Sequence, residues 1–222
     1  MKNLAIFDLD NTLINTDSDN AFPQFMIEKG YINAEYATAK NEKFYQDYQQ
    51  GCLNVHEFVA FQVEPLKTLN KQQLDELHQE FMQKYIEPHI SHMATLLVKS
   101  HKDAGDELLV ISSTNEFIIT PICHAFGITN IIGTRLETDE KGFFTGNIIG
   151  VPSLSEGKIT RLDEWLTQNC RSREDYDRIY FYSDSKNDLP LLNEVSNPVA
   201  VNPDEILSQY AKRNGWPILN FQ

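Results

Sequence analysis

The rhythm of apolar and polar residues changes twice along the chain. Leu4-Ala5-Ile6-Phe7 is an unbroken apolar run that stops at Asp8, as expected of a short strand buried on both faces of a parallel sheet. From residue 15 to 88 the apolar positions recur at helical spacing. They group as Phe22, Phe25 and Met26; Ala37, Phe44 and Tyr48; Val55, Phe58 and Val59; and Leu74, Leu77, Phe81 and Tyr85. This predicts about four amphipathic helices. Asn33, Asn54 and Asn70 stand just ahead of three of them, where an Asn side chain can accept from free first-turn N–H groups. Beyond Pro88, strands and helices alternate. A helix with Met93, Leu96, Leu97 and Ser100 on one face ends at Ala104-Gly105, and a strand follows over Leu108 to Ile111. Then come a helix from Phe117 to Phe126, a strand at Ile131-Ile132, and a hairpin joining Arg135–Glu137 to Phe143–Ile149. A helix over Ser155–Asn169, a strand over Ile179–Tyr182 and a helix over Leu189–Val195 follow, then a strand over Val199–Val201, a helix over Pro203–Arg213 and an edge strand at Pro217–Leu219. The alternation predicts an α/β fold: a three-layer, doubly wound parallel sheet with an inserted helical segment. The core is expected over residues 1–14 and 89–222, and the helical insert over 15–88. In such sheets ligands bind at the carboxyl ends of the strands.

Composition narrows the partners. The 222 residues carry 32 acidic and 19 basic side chains, a formal charge of −13, with 41% hydrophobic residues, enough for a packed core. The charge argues against nucleic acid and anionic membranes, which need a basic footprint. It also fits an anionic substrate poorly unless a cation is recruited. No apolar run approaches the ~20 residues of a membrane span, and no signal peptide follows Met1. Cys52, Cys123 and Cys170 are far apart and odd in number, which suggests a reducing cytoplasm and no zinc or disulfide framework. Cys123 and Cys170 are expected to pack as small hydrophobes.

Three core strands are predicted to end in chemistry. The first runs into Asp8-Leu9-Asp10-Asn11-Thr12, the second into Ser112-Ser113-Thr114, and the third into Ser183-Asp184-Ser185-Lys186-Asn187-Asp188. Lys158 follows Gly157 at a helix start, where the helix dipole disfavours a cation. Carboxylates of Asp8 and Asp184 converging at strand ends suit Mg²⁺, a hard ion that takes oxygen ligands. With that charge offset, Asp8 is a candidate nucleophile towards phosphorus and Asp10 a candidate acid and base. Ser112, or Ser113 in a shifted register, and Lys158 are candidate phosphate contacts. Asp188 is a candidate partner that orients Lys158 or a metal-bound water.

These segments resemble the four motifs of the haloacid dehalogenase superfamily across the whole chain, with the helical segment in the place of that superfamily's first-type (C1) cap. Val110-Ile111-Ser112-Ser113, Glu156-Gly157-Lys158 and Asp184-Ser185-Lys186-Asn187-Asp188-Leu189-Pro190 resemble its phosphoserine phosphatase-like branch (subfamily IB), which includes histidinol-phosphate phosphatases. The resemblance implies a nucleophile at Asp8 and Mg²⁺ held by Asp8, Asp184 and the Asp10 backbone carbonyl. It implies phosphate contacts from Ser112, Lys158 and Asn187, with Asp188 and Thr12 behind the ligands. Asp10 matches the family's phosphatases and phosphomutases. The chain departs from phosphoserine phosphatases at Ser112-Ser113-Thr114-Asn115, where those enzymes carry Ser-Gly-Gly-Phe, and at Asn15-Thr16-Asp17-Ser18-Asp19, near which they carry an amine-binding Glu.

Asp17 and Asp19 have two readings: caps for the helix that follows, or an acidic gate for an ammonium-bearing substrate. A calcium loop is excluded, because Asn20 and Met26 occupy the places of its Gly and Glu. His89 and His92, three apart beside Glu87, are expected on one helical face, but without a third ligand nearby they read as surface residues. The expectation is a cytoplasmic Mg²⁺-dependent phosphatase, monomer or homodimer, acting on a small phosphomonoester such as phosphoserine or histidinol phosphate. A phosphomutase on the same core and a non-catalytic phosphate-binding module are the alternatives.

Overall fold

A computed structural model describes residues 2–221; Met1 and Gln222, the outer limits of the expected core segments, lie outside the described residues. The chain opens with β1 (Lys2–Phe7), then four helices: α1 (Ser18–Glu28), α2 (Ala34–Gln50), α3 (Val55–Val63) and α4 (Lys71–Phe81). A π turn at Met82–Ile86 and a 3-10 turn at Glu87–His89 lead back to α5 (His92–Asp103). There follow β2 (Glu107–Asn115), α6 (Glu116–Ala125), β3 (Ile131–Thr134), and the hairpin of β4 (Leu136–Thr138) and β5 (Phe144–Ile148). The chain ends with α7 (Glu156–Gln168), β6 (Tyr176–Ser183), α8 (Leu189–Glu194), β7 (Asn197–Val201), α9 (Glu205–Asn214) and β8 (Ile218–Leu219).

The six-stranded sheet has the order β3-β2-β1-β6-β7-β8, and its pairs are parallel. β1 lies where the order reverses, flanked by β2 and β6, with Phe7 opposite both Val110 and Tyr182. Alternate residues of β1 feed two cores. Ala5 and Phe7 pack with α5 and α6 on one face, while Leu4 and Ile6 pack with α7, α8 and α9 on the other. The continuous apolar run is thus explained by burial on both faces.

Asn33, Asn54 and Asn70 cap α2, α3 and α4 through their side chains. Asn70 and Gln73 form a reciprocal capping box. The four helices do not form one independent bundle. Phe22, Phe25, Leu74, Leu77 and Phe81 of α1 and α4 belong to the same apolar cluster as Ile118 and Ile122 of α6. A separate small cluster of Ala37, Phe44, Phe58 and Phe61 holds α2 against α3.

Three local expectations need correction. In α5 the inward stripe is Ala94, Val98 and His101, while Met93 and Leu96 are 50% and 47% exposed. A polar residue completes the buried stripe, because His101 is paired with Asp106 (2.7 Å) and Tyr182 Oη (2.7 Å). Cys123 is buried, but Cys170 is exposed at the exit from α7, in a left-handed conformation (φ 54°). His89 and His92 share no helix face, since the extended Ile90 and the cap Ser91 lie between them.

His78 of α4 joins the helical segment to the core. Its Nε2 lies 2.9 Å from the Ile118 carbonyl, so it carries the proton and donates. Its Nδ1 has no hydrogen-bond partner among the described residues, and the ring packs edge-on against Phe81 and Phe117. Burial holds this imidazole below its ordinary value of 6.5. The unfolded chain therefore takes up the proton first as pH falls, and stability drops below about pH 6.5 by at most ~1.4 kcal/mol per pH unit for this one proton. His78→Phe keeps the ring contacts and removes the titration. Denaturant unfolding between pH 7 and pH 5 should give a shallower loss of stability in His78→Phe than in the parent; equal slopes would refute the assignment.

Candidate active site

The Asp8 N–H continues the β1–β6 ladder to the Tyr182 carbonyl (2.9 Å). The chain then turns tightly: Leu13 N–H donates to the Leu9 carbonyl (2.8 Å), and Asn11 takes a left-handed conformation (φ 55°), which Asn tolerates better than most residues. The turn carries Asp10 past the strand end into two hydrogen bonds. Its Oδ1 accepts from the Ser18 N–H in the first turn of α1 (2.6 Å), and its Oδ2 from the Thr114 hydroxyl of β2 (2.8 Å).

Lys158 arrives from the opposite layer. A Cβ on Gly157 would lie 2.1 Å from the Pro152 carbonyl oxygen, so only glycine lets the first turn of α7 approach this closely. Ser155, just before, is in a strained positive-φ conformation (φ 51°). Lys158 is 2% exposed; its Nζ donates to Asp8 Oδ1 (2.8 Å) and to Asp188 (2.7 Å). Asp188 also accepts from the Ser183 hydroxyl (2.7 Å). Thr12 donates from its hydroxyl to Asp184 Oδ1 (3.3 Å).

The electrostatics are those of too many buried carboxylates. Burial pushes Asp8 up to about 7; Lys158 opposes the shift, and Asp188 and Asp10 add to it. Burial raises Asp10 to about 6, reinforced by Asp17 and opposed by the bonds from Ser18 and Thr114. Asp184 is pushed well above the carboxylate range by burial, then by Asp8 and Asp188. Burial alone would lower the Lys158 ammonium, but Asp188 and Asp8 reverse the sign and hold it charged.

Mg²⁺ fits this donor set. Asp8 and Asp184 offer oxygen ligands, and burial, with the neighbouring carboxylates, holds both above the carboxylate range. Among the described residues no group of three or more His, Cys, Asp or Glu side chains converges as a closed cage. An open site with two carboxylates is what Mg²⁺ uses when waters and a phosphate complete its shell.

Above these groups lies a cavity. Asp8, Asp10, Asp184, Ser113, Thr114 and Asn115 form its floor. Asp17, Asp19, Asn20, Asn41, Gln62 and the rings of Phe44, Tyr45, Tyr48 and Phe58 form its roof. Among the described residues lining it, none is basic. Asp17 caps α1, accepting from the Asn20 N–H (2.9 Å), and it also lines the cavity. Burial raises both Asp17 and Asp19, and Asp19 is held up further by Asp17 and Asp10.

A model of the haloacid dehalogenase-like hydrolases matches residues 5–193. The chain belongs to that family. It is 64% identical over 222 residues to a histidinol-phosphatase of Neisseria meningitidis serogroup C (strain 8013), covering all of both chains. It is 31% identical over 221 residues to the inhibition of morphological differentiation protein of Streptomyces azureus, covering 98% of this chain and 78% of that one. Among solved structures, a protein of unknown function from Bordetella pertussis Tohama I superposes with a TM-score of 0.94 at 35% identity over the whole of both chains. A substrate-bound phosphoserine phosphatase superposes with a TM-score of 0.67 at 19% identity, covering 99% and 93% of the two chains, a likeness of fold. The chain is accordingly a phosphatase of the haloacid dehalogenase-like family.

The structure brings Asp8, Asp10, Asp184, Asp188, Lys158 and Thr12 together at the strand ends. Ser113 lines the cavity, whereas the Ser112 hydroxyl turns back to accept from the Thr114 N–H (3.1 Å). Asn187 is not among the residues that line the cavity; its side chain faces the Tyr48 hydroxyl of α2. Sequence reasoning missed Thr114 as the partner of Asp10, and missed Asn41, Gln62 and Asn115. Two of these had a signal: Asn115 precedes an apolar run as a helix cap does, and Gln62 is polar in the apolar second half of α3.

Lys158→Ala leaves Asp8 and Asp188 buried without their cation. Removing one partner of a buried pair costs about 3–5 kcal/mol, so denaturant unfolding should register a loss of that order, with phosphate release abolished. Adding Asp188→Asn removes one stranded charge; part of the stability should return while activity does not. A single variant as stable as the parent would show that the lysine does not balance these carboxylates.

Proposed function

We propose that the chain hydrolyses a small phosphomonoester with a cationic, carboxylate-free leaving group, histidinol phosphate, through an aspartyl-phosphate at Asp8. The substrate rests on one observation: the cavity over Asp8 is walled by acidic and aromatic side chains, and none of the described residues lining it is basic. The carboxylate of phosphoserine would face Asp17 and Asp19 with no cation to receive it. Histidinol phosphate offers an ammonium to the acids and an imidazole ring to the aromatic wall. The full-length relative named histidinol-phosphatase supports the same choice.

The geometry supports the following chemistry. A carboxylate oxygen of Asp8 attacks phosphorus, and the bond from phosphorus to the alcohol oxygen breaks. Asp10 gives its proton to that oxygen and becomes a carboxylate. It then takes a proton from water as the water oxygen attacks phosphorus; the Asp8–phosphorus bond breaks, phosphate leaves, and both aspartates return to their starting states. A carboxyl held near 6, with both oxygens oriented by Ser18 and Thr114, suits both half-reactions close to neutral pH. Lys158, Ser113 and Asn187 hold phosphoryl oxygens, and Asp188 keeps Lys158 aimed at Asp8. Mg²⁺, when bound by Asp8, Asp184 and the Asp10 carbonyl, would offset charge on the phosphate; Thr12 steadies Asp184.

Residues 15–88 act as a cap that excludes water and chooses the leaving group, over a core of 1–14 and 89–222. No helix of the described residues is long and apolar enough to cross a membrane. The three free thiols suit the reducing cytoplasm, where we place the activity.

Two measurements test this reading. With Mg²⁺ present, kcat/KM should rank histidinol phosphate above phosphoethanolamine and phosphocholine, with phosphoserine at least about tenfold below the first. Phosphoserine at the top would overturn the substrate. Asp8→Asn should reduce phosphate release to background with the circular dichroism spectrum unchanged; turnover at the parent's rate would remove Asp8 as nucleophile.

A further inference from the structure

One buried side chain next to the reacting groups has no part in the steps above. We propose that Gln62 of α3 is the positioning residue that aims the Asp19 carboxylate at the leaving group, and so sets the preference for a cationic one. This rests on the substrate reading given above.

Gln62 is 2% exposed, and both ends of its amide are engaged. Its orientation is dictated from outside the cavity. Asn115 caps α6, its Oδ1 accepting from the Ile118 N–H (3.1 Å). A carboxamide has one accepting end and one donating end. With its oxygen committed to the helix, Asn115 turns its Nδ2 towards Gln62 Oε1 (3.2 Å). Gln62 must then present Nε2 on its other side, where it donates to Asp19 Oδ1 (2.8 Å) and to the Asp19 carbonyl (3.1 Å). Turning the amide over would set Oε1 against two acceptor oxygens and bring two NH₂ groups together, so the order Ile118–Asn115–Gln62–Asp19 has one satisfied arrangement.

The relay ties three elements together. α6 fixes Asn115, α3 carries Gln62, and α1 carries Asp19. A donor held on Asp19 favours its ionised form against burial and against Asp17. A leaving group entering the cavity meets a carboxylate already aimed, without the entropy cost of ordering a free side chain.

Two variants break the relay at different links. Gln62→Leu removes all three hydrogen bonds at similar volume. Asn115→Ser keeps a capping oxygen on α6, since Ser and Asn cap about equally well, adds no charge to the cavity, and removes the donor facing Gln62. Nothing then dictates the orientation of the Gln62 amide, and Asp19 is no longer aimed. The measurement is kcat and KM, with Mg²⁺, for histidinol phosphate and for p-nitrophenyl phosphate, which has no cation. The ratio of the two kcat/KM values should fall about tenfold in both variants, mainly through KM for histidinol phosphate, as expected on loss of a hydrogen bond to a charged group. A ratio within twofold of the parent's in both variants, whatever the absolute rates, would reduce Gln62 to a packing role and overturn the proposal. The parent enzyme tests the substrate reading separately: no preference for histidinol phosphate over p-nitrophenyl phosphate would refute that reading before any variant is compared.

Discussion

The ammonium of Lys158, buried between Asp8 and Asp188, is the interaction on which the rest of the molecule depends. Three charges removed from water are costly unless each finds its partners at short range. Every nearby feature of the fold serves that requirement. Gly157 lets α7 come within reach by removing a side chain that would strike Pro152. The sheet order reverses at β1, so the ends of β1 and β6 lie side by side and deliver Asp8 and the Ser183–Asp188 loop to one point. Ser183 supplies a further donor to Asp188. A parallel sheet without the reversal would send these loops to different crevices.

One ammonium does not balance the site. Asp8, Asp184 and Asp10 share the floor with Asp188 close by, and burial holds the first three above their ordinary range. Phosphate brings more negative charge, and the hard cation of the proposed mechanism would offset it. The formal charge of −13 therefore says little about the field that the phosphoryl group meets. It bears more directly on the other half of the substrate. The roof adds Asp17 and Asp19, and nothing among the described lining residues offsets them. In the proposed reaction the same excess that calls for a metal beneath the phosphate would favour a positive leaving group above it.

The layered sheet, the four helices and their Asn caps were legible in the sequence because each rests on local chemistry: an apolar run, a helical period, a side-chain acceptor ahead of a first turn. The residues gathered at the proposed site were legible because strand ends are where such side chains collect, and because Lys158 stood where the helix dipole disfavours it. What escaped depends on distant partners. The inward face of α5 was misread because His101 is buried by virtue of Asp106 and Tyr182, and no apolar pattern reports a satisfied histidine. Ser112 and Ser113 differ only in which way their hydroxyls turn at the end of β2, a distinction that residue type does not carry. Gln62 and Asn115 lie 53 positions apart, and their meeting is a property of the packing of α3 on β2.

The packing of the helical segment bears on how selection and catalysis are joined. α1 and α4 are continuous with the core through Phe22, Phe25 and Phe81, while α2 and α3 close on a small core of their own. The helices nearest the sheet are thus the more firmly held, and α1 has a double duty. Its first turn gives the Ser18 N–H to Asp10, the proposed acid and base, and the same turn carries Asp19 into the cavity roof. A shift of α1 large enough to misplace Asp19 would also break the 2.6 Å bond that orients Asp10. In the proposed mechanism, recognition of the leaving group and readiness to protonate it would therefore both be set by one turn of helix. A bulky substrate that displaced the roof would lose its proton donor as well as its fit, which gives the chamber a way to discriminate that does not depend on binding strength alone.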